Sequence, residues 1–102
     1  MRFRVRFTEE ARADTKRLYA FVLEQSEGDW TLAERAVDAI DNALALLQTT
    51  PFSCRKAAGG DALLRELIIP FGASGYVALF EIENAETVTV LAVRHQREDD
   101  YH

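Results

Sequence analysis

Cysteine occurs once in the 102 residues, tryptophan once and proline twice, and no apolar run is long enough for a signal peptide or a membrane span. The lone thiol, Cys54, closes no intramolecular disulfide and has no ligand partners at metal spacing, so neither a disulfide framework nor a zinc site is available. With no base suggested beside it, Cys54 reads as an inert loop thiol. The chain is therefore expected in the reducing cytoplasm, away from membranes, with no metal and no cofactor. Repeats, low-complexity stretches and linkers are missing too, which makes residues 1–102 one expected domain. Positive charge is also short: twelve Lys and Arg stand against seventeen Asp and Glu, a formal net charge of −5. That balance opposes non-specific attraction to nucleic acid, which depends on Lys and Arg displacing counterions from phosphates.

What is present is the composition of an ordinary folding domain, 48% hydrophobic and 28% charged. Arg2 to Phe7 alternates strictly, Phe3, Val5 and Phe7 on one face and Arg2, Arg4 and Arg6 on the other, as a half-buried strand does. Thr8 can cap a helix whose first turn carries Glu9 and Glu10, where the helix dipole favours anions. Ala11, Thr15, Leu18 and Val22 then recur at helical spacing to about Glu24. Gln25 to Asp29 is polar, contains Gly28 and breaks the pattern. Thr31-Leu32-Ala33-Glu34 has the form of a capping box, and Ala33, Val37, Ile40, Leu44 and Leu47 follow as an apolar stripe to about Gln48. Pro51 ends that helix.

Phe52 to Asp61 reads as a loop. Three strand-like runs follow, Leu63 to Ile69, Tyr76 to Ile82 and Thr87 to Val93, joined by short connections into an antiparallel meander. The order β-α-α-β-β-β predicts an α+β fold, an antiparallel helical hairpin packed on a mainly antiparallel four-stranded sheet with the first strand added alongside the meander. Phe3, Val5, Leu18, Val22, Val37, Ile40, Leu44 and Leu47 are its expected buried residues.

Val90-Leu91-Ala92-Val93-Arg94-His95-Gln96-Arg97-Glu98-Asp99 resembles the closing strand of ParE-type and plasmid-stabilisation toxins. Leu64-Arg65-Glu66, Tyr76-Val77-Ala78-Leu79-Phe80 and Pro51 extend the likeness over nearly the whole chain, which is similar to the RelE/ParE superfamily. The resemblance implies a type II toxin–antitoxin module, in which a cognate antitoxin wraps the toxin and the pair represses its own promoter, so that operator DNA is met only through the antitoxin. ParE-like members poison DNA gyrase, whereas RelE-like members cut mRNA at the ribosome. Fold alone does not choose between them.

RNA cleavage through a 2′-hydroxyl needs a base, an acid and cations around the phosphate. By resemblance to RelE-like nucleases the catalytic candidates are Arg65, His95, Arg97 and Tyr101. Each also has a structural reading: Arg65 pairing with a carboxylate, His95 terminating a strand, Tyr101 fraying at the chain end. A convergence of Arg65, His95 and Arg97 on one sheet face would favour the nuclease. Arg2, Arg4 and Arg6 form a basic stripe that is either a solvated edge or a seat for an acidic antitoxin segment. Trp30 is expected at the hairpin tip, packed there or serving as a contact anchor for the antitoxin. The acidity of the chain and of Glu98-Asp99-Asp100 favours a gyrase-binding toxin over a nuclease. A third reading is an inactive homologue that only binds antitoxin and helps repress the operon.

Overall fold

The computed structural model describes residues 2–57, 59, 62–72 and 74–96. The elements run β1 Arg4–Phe7, α1 Glu9–Gln25, α2 Trp30–Ala45, β2 Arg55–Lys56, β3 Leu64–Phe71, β4 Ser74–Ile82 and β5 Thr87–His95. Two 3-10 turns, Leu46–Gln48 and Pro51–Ser53, lie between α2 and β2. The sheet order is β1-β5-β4-β3-β2, with β1 parallel to β5 and the other pairs antiparallel. The architecture is the expected helical hairpin on a mainly antiparallel sheet. One strand more than expected is present, because Arg55 and Lys56, read as loop, pair with Glu66 and Arg65.

Thr8 caps α1 as expected, its side chain accepting from the Ala11 N–H. The start of α2 differs from expectation. The cap is Asp29, whose carboxylate accepts from the Leu32 N–H at 3.1 Å, so Thr31 lies inside the helix. Between the helices, Gly28 N–H donates to the Leu23 carbonyl at 2.7 Å and Glu27 N–H to the Glu24 carbonyl at 3.4 Å. That is the bond pattern of a Schellman cap, and it places Glu27 at φ 56°, in the left-handed region where glycine usually sits.

Both helices lay their apolar stripes on one face of the sheet. Leu18, Ile40, Leu44 and Leu47 are buried against Ile69, Ala78, Phe80, Ile82, Val88, Val90 and Val93. Each branched aliphatic side chain of that set contributes about 1.5 to 3 kcal/mol by leaving water. Phe3, Val5, Val22 and Val37, expected to be buried, are only half-buried. Val5 lies on β1, a four-residue strand at the edge of the sheet, and Phe3 comes just before that strand begins.

A bulge sets the far end of the sheet. Leu79 pairs with Ala92 but Phe80 with Val90, so Leu91 is the extra residue on β5. Without it the alternation begun by Val88 and Val90 would send Val93 and His95 to the outer face. With it, Val93 is fully buried under the helices.

The two edges differ. The Arg4 N–H bonds to the carbonyl of Glu86, the residue before β5, and the Thr8 N–H to that of Val90 in β5, so the main-chain groups of Val5 and Phe7 point to the open side. At the opposite edge β2 covers β3 only at Arg65 and Glu66. Ala57 N–H reaches the Leu64 carbonyl, and Ile82 N–H the Leu63 carbonyl, so the even-numbered residues of β3 face outward. The outward position beyond Ile68 is Pro70, which has no N–H to offer.

Candidate functional site

Arg65 enters β3 opposite Phe80 and turns its guanidinium onto the loop before it. Nε donates to the Ala62 carbonyl at 2.7 Å, and Nη1 to the Phe52 and Cys54 carbonyls at 3.1 and 2.8 Å. The guanidinium also lies 5.5 Å from the centre of the Phe52 ring. The Phe52–Cys54 segment and the turn at Ala62 are tied to the start of β3 by one planar donor fork, the geometry for which arginine is suited. Burial pushes the Cys54 thiol up from its usual value, and Arg65 only partly opposes this, in keeping with an unreactive cysteine. Among the described residues no group of three or more His, Cys, Asp and Glu is placed to hold a metal.

His95 is the last residue of β5 and pairs with Tyr76. Its ring meets Tyr76 edge-on, 5.6 Å between centroids and 85° between planes, and lies 6.2 Å from Phe21 of α1. Phe71 stands 6.1 Å from Tyr76 on the other side. These four rings, with Val22, Gln25, Ser26 and Leu32, line a groove of about 220 Å³ where the hairpin tip overhangs the end of the sheet. Burial raises the Tyr76 phenol above its ordinary value, so near neutral pH it is a neutral group and no base.

The structure does not bring Arg65 and His95 together. Arg65 lies opposite Phe80 and His95 opposite Tyr76, four residues apart along β4 and on strands either side of it. At ~3.3 Å per residue and ~4.8 Å per strand, their backbones stand roughly 16 Å apart. Arg97 and Tyr101 lie outside the described residues. No stretch of the described sequence forms a helix long and apolar enough to cross a membrane.

Arg2, Arg4 and Arg6 are exposed along β1, and the Arg2 guanidinium donates to the Gln48 side chain. Beside the open edge of β1 lies a hollow lined by Val5, Phe7, Asp41, Leu44, Ala45 and Gln48, with the Arg12 guanidinium 5.8 Å from the Phe7 ring centre. Trp30 is 59% exposed at the opposite end of α2. Fourteen residues of helix, about 21 Å at 1.5 Å each, separate it from Leu44 in that hollow, so the arginine stripe and Trp30 are not one surface.

Sequence reading missed Asp14. It is buried on α1, and Oδ2 accepts the Val93 N–H at 2.9 Å and the Arg94 guanidinium. β1 ends at Phe7, so among the described residues no strand flanks β5 on that side past Val90. Thr8 Oγ1 takes up the Leu91 carbonyl and Asp14 the Val93 N–H. A polar residue on the inward face of a helix, in step with Ala11 and Leu18, was the available signal.

Residues 5–100 match the ParE toxin of the type II toxin-antitoxin system parDE, and the chain belongs to that family. Among solved structures it is similar to the chromosomal ParDE system of P. aeruginosa, with 17% identity, a TM-score of 0.73, and 91% of this chain and 95% of that chain covered. It is also similar to the E. coli DinJ-YafQ toxin-antitoxin complex, at 7% identity and TM-score 0.58, with 93% of each chain covered. At these identities the likeness is one of fold. No curated protein sequence matches the chain.

Proposed function

We propose that the protein is the toxin of a type II module, held inactive in the cytoplasm by a cognate antitoxin, and that it binds DNA gyrase and does not cut mRNA at the ribosome. The observation carrying this choice is the engagement of Arg65. A nuclease centre needs its phosphate ligand and its base within hydrogen-bond reach of the same reacting group, about 2.6 to 3.2 Å from each. Arg65 spends its Nε and Nη1 donors on three carbonyls and starts roughly 16 Å from His95. The net charge of −5 adds to the case against a phosphate-binding surface, and leaves operator DNA to the antitoxin.

The open edge of β1 is the seat this reading gives the antitoxin. Outward main-chain groups at Val5 and Phe7 can pair with an added strand, and Arg4 and Arg6 attract carboxylates along it. Replacing both Arg4 and Arg6 by Glu is expected to slow association with the antitoxin encoded beside the toxin and to reduce its salt dependence, as measured by stopped flow. An unchanged rate at low salt would leave the stripe a solvated edge. For the target, supercoiling by gyrase and breaks in translated mRNA are measured with wild type and with Arg65 and His95 both changed to Ala. Inhibited supercoiling with intact mRNA supports the proposal. Codon-dependent cleavage that disappears in the double variant, with supercoiling untouched, overturns it in favour of the nuclease.

A further inference from the structure

We infer that the groove at the hairpin tip is the surface that grips the toxin's target, taking one aromatic or branched apolar side chain from a basic protein segment. This rests on the reading that the target is a protein.

The groove holds about 220 Å³, less than the ~300 to 1,000 Å³ of sites for drug-sized ligands and of the order of one large side chain. Its floor is Tyr76, 2% exposed, and its outer wall is Phe21, 44% exposed. Rings on three sides, Phe21, Phe71 and His95 around Tyr76, offer both faces and edges to an incoming apolar group. Wide exposure of an aromatic ring beside a concave apolar floor is how an interface anchor site looks before it is filled.

Charge selects the class of partner. Glu24 stands one turn beyond Phe21 on the same face of α1, and Glu27 and Asp29 follow in the connection, all three exposed. Two arginines of the adjoining elements, Arg17 of α1 and Arg94 of β5, are drawn toward Asp14. A nucleic acid entering here would bring phosphates against the three carboxylates, whereas a Lys- or Arg-flanked segment would be steered in by them. The groove lies at the far end of α2 from the hollow beside β1, so one partner can occupy each.

The test has two arms. In the first, NMR shifts of the full chain are followed while adding a lysine-flanked tryptophan pentapeptide, its alanine and glutamate-flanked counterparts, or hexauridylate. Saturable shifts centred on Phe21, Tyr76 and His95 are expected for the lysine-flanked tryptophan peptide alone. Phe21→Ala, at an exposed position that spares the fold, should weaken binding about tenfold. Glu24→Gln with Glu27→Gln should weaken it roughly threefold to tenfold and flatten its salt dependence. Hexauridylate binding in the groove, or peptide binding indifferent to Phe21, overturns the inference. In the second arm the same variants are titrated against gyrase supercoiling, where at least about fivefold more toxin is expected for half-inhibition. Equal inhibition by wild type and Phe21→Ala refutes the groove as the target contact. Failure of wild type itself to inhibit refutes the gyrase reading, and the peptide arm then decides the groove alone.

Discussion

Removing the carboxylate of Asp14 should be the most damaging single polar change in this protein. Asp14 is 7% exposed and joins α1 to the stretch of β5 that β1 does not reach, through the Val93 N–H at 2.9 Å and the Arg94 guanidinium. In Asp14→Ala the Val93 N–H loses its acceptor in a buried place, at about 1 to 3 kcal/mol, and a charge-assisted bond to Arg94 is lost as well. Arg94 is 24% exposed on its side chain, so water recovers part of that second loss. The sum is a destabilisation of about 2 to 4 kcal/mol, with Asp14→Asn, which keeps an acceptor oxygen, losing about half as much. Urea unfolding measures the energy, and hydrogen exchange at the Val93 amide reports the location. A double-mutant cycle with Arg94→Ala should show coupling of about 0.5 to 2 kcal/mol. A loss under about 1 kcal/mol for Asp14→Ala, or a Val93 amide that exchanges no faster, would refute the argument that Asp14 stands in for the missing strand.

Leu44, 3% exposed, should cost about 2 to 5 kcal/mol when cut to Ala, measured by urea unfolding, and a loss under about 1 kcal/mol would mean that the site collapses around the gap. Glu27→Gly should stabilise by about 0.5 to 1 kcal/mol, since a left-handed backbone costs a side-chain-bearing residue ~1 to 2 kcal/mol and glycine gives part of that back as unfolded-state entropy; a fall in melting temperature would contradict it. Asp41 carries a carboxyl raised above its usual 3.8, first by burial and then by Asp38. A raised carboxyl pKa in the folded state means that the ionised form opposes folding at neutral pH, and that this penalty fades as pH falls through the folded value. Asp41→Asn should therefore raise the urea midpoint at pH 7 and leave it unchanged at pH 3, and equal midpoints at both would count against it.

The strand alternation of Phe3, Val5 and Phe7, the helical stripes and the meander were readable because each is a local period imposed by a buried face. The misreadings share another cause. Thr31 looked like a cap because Thr and Glu stood three apart, but Asp29, two residues earlier, offered an oxygen of equal reach. Arg55 and Lys56 form a strand only because β3 runs beside them, and two residues carry no period. The partners of Arg65 are carbonyls, which every residue has, so its clamp on Phe52, Cys54 and Ala62 leaves no mark in the side-chain sequence. His95 and the arginine stripe could be singled out from the sequence as candidates, while the other three rings of the groove, Phe21, Phe71 and Tyr76, come from three other elements and needed the fold to assemble them.

Pro70 gives the sheet a direction of growth. Its missing N–H blunts the outer side of β3, whereas Val5 and Phe7 leave the outer side of β1 able to bond. Beyond the pairing with β2, Ile68 is the one outward position of β3 before Pro70, a shorter run than β1 offers, so the two ends of the sheet are unequal hosts for an added strand. Adding one strand to β1 uses up that edge, and two copies joined there about a twofold axis would each bury the other's.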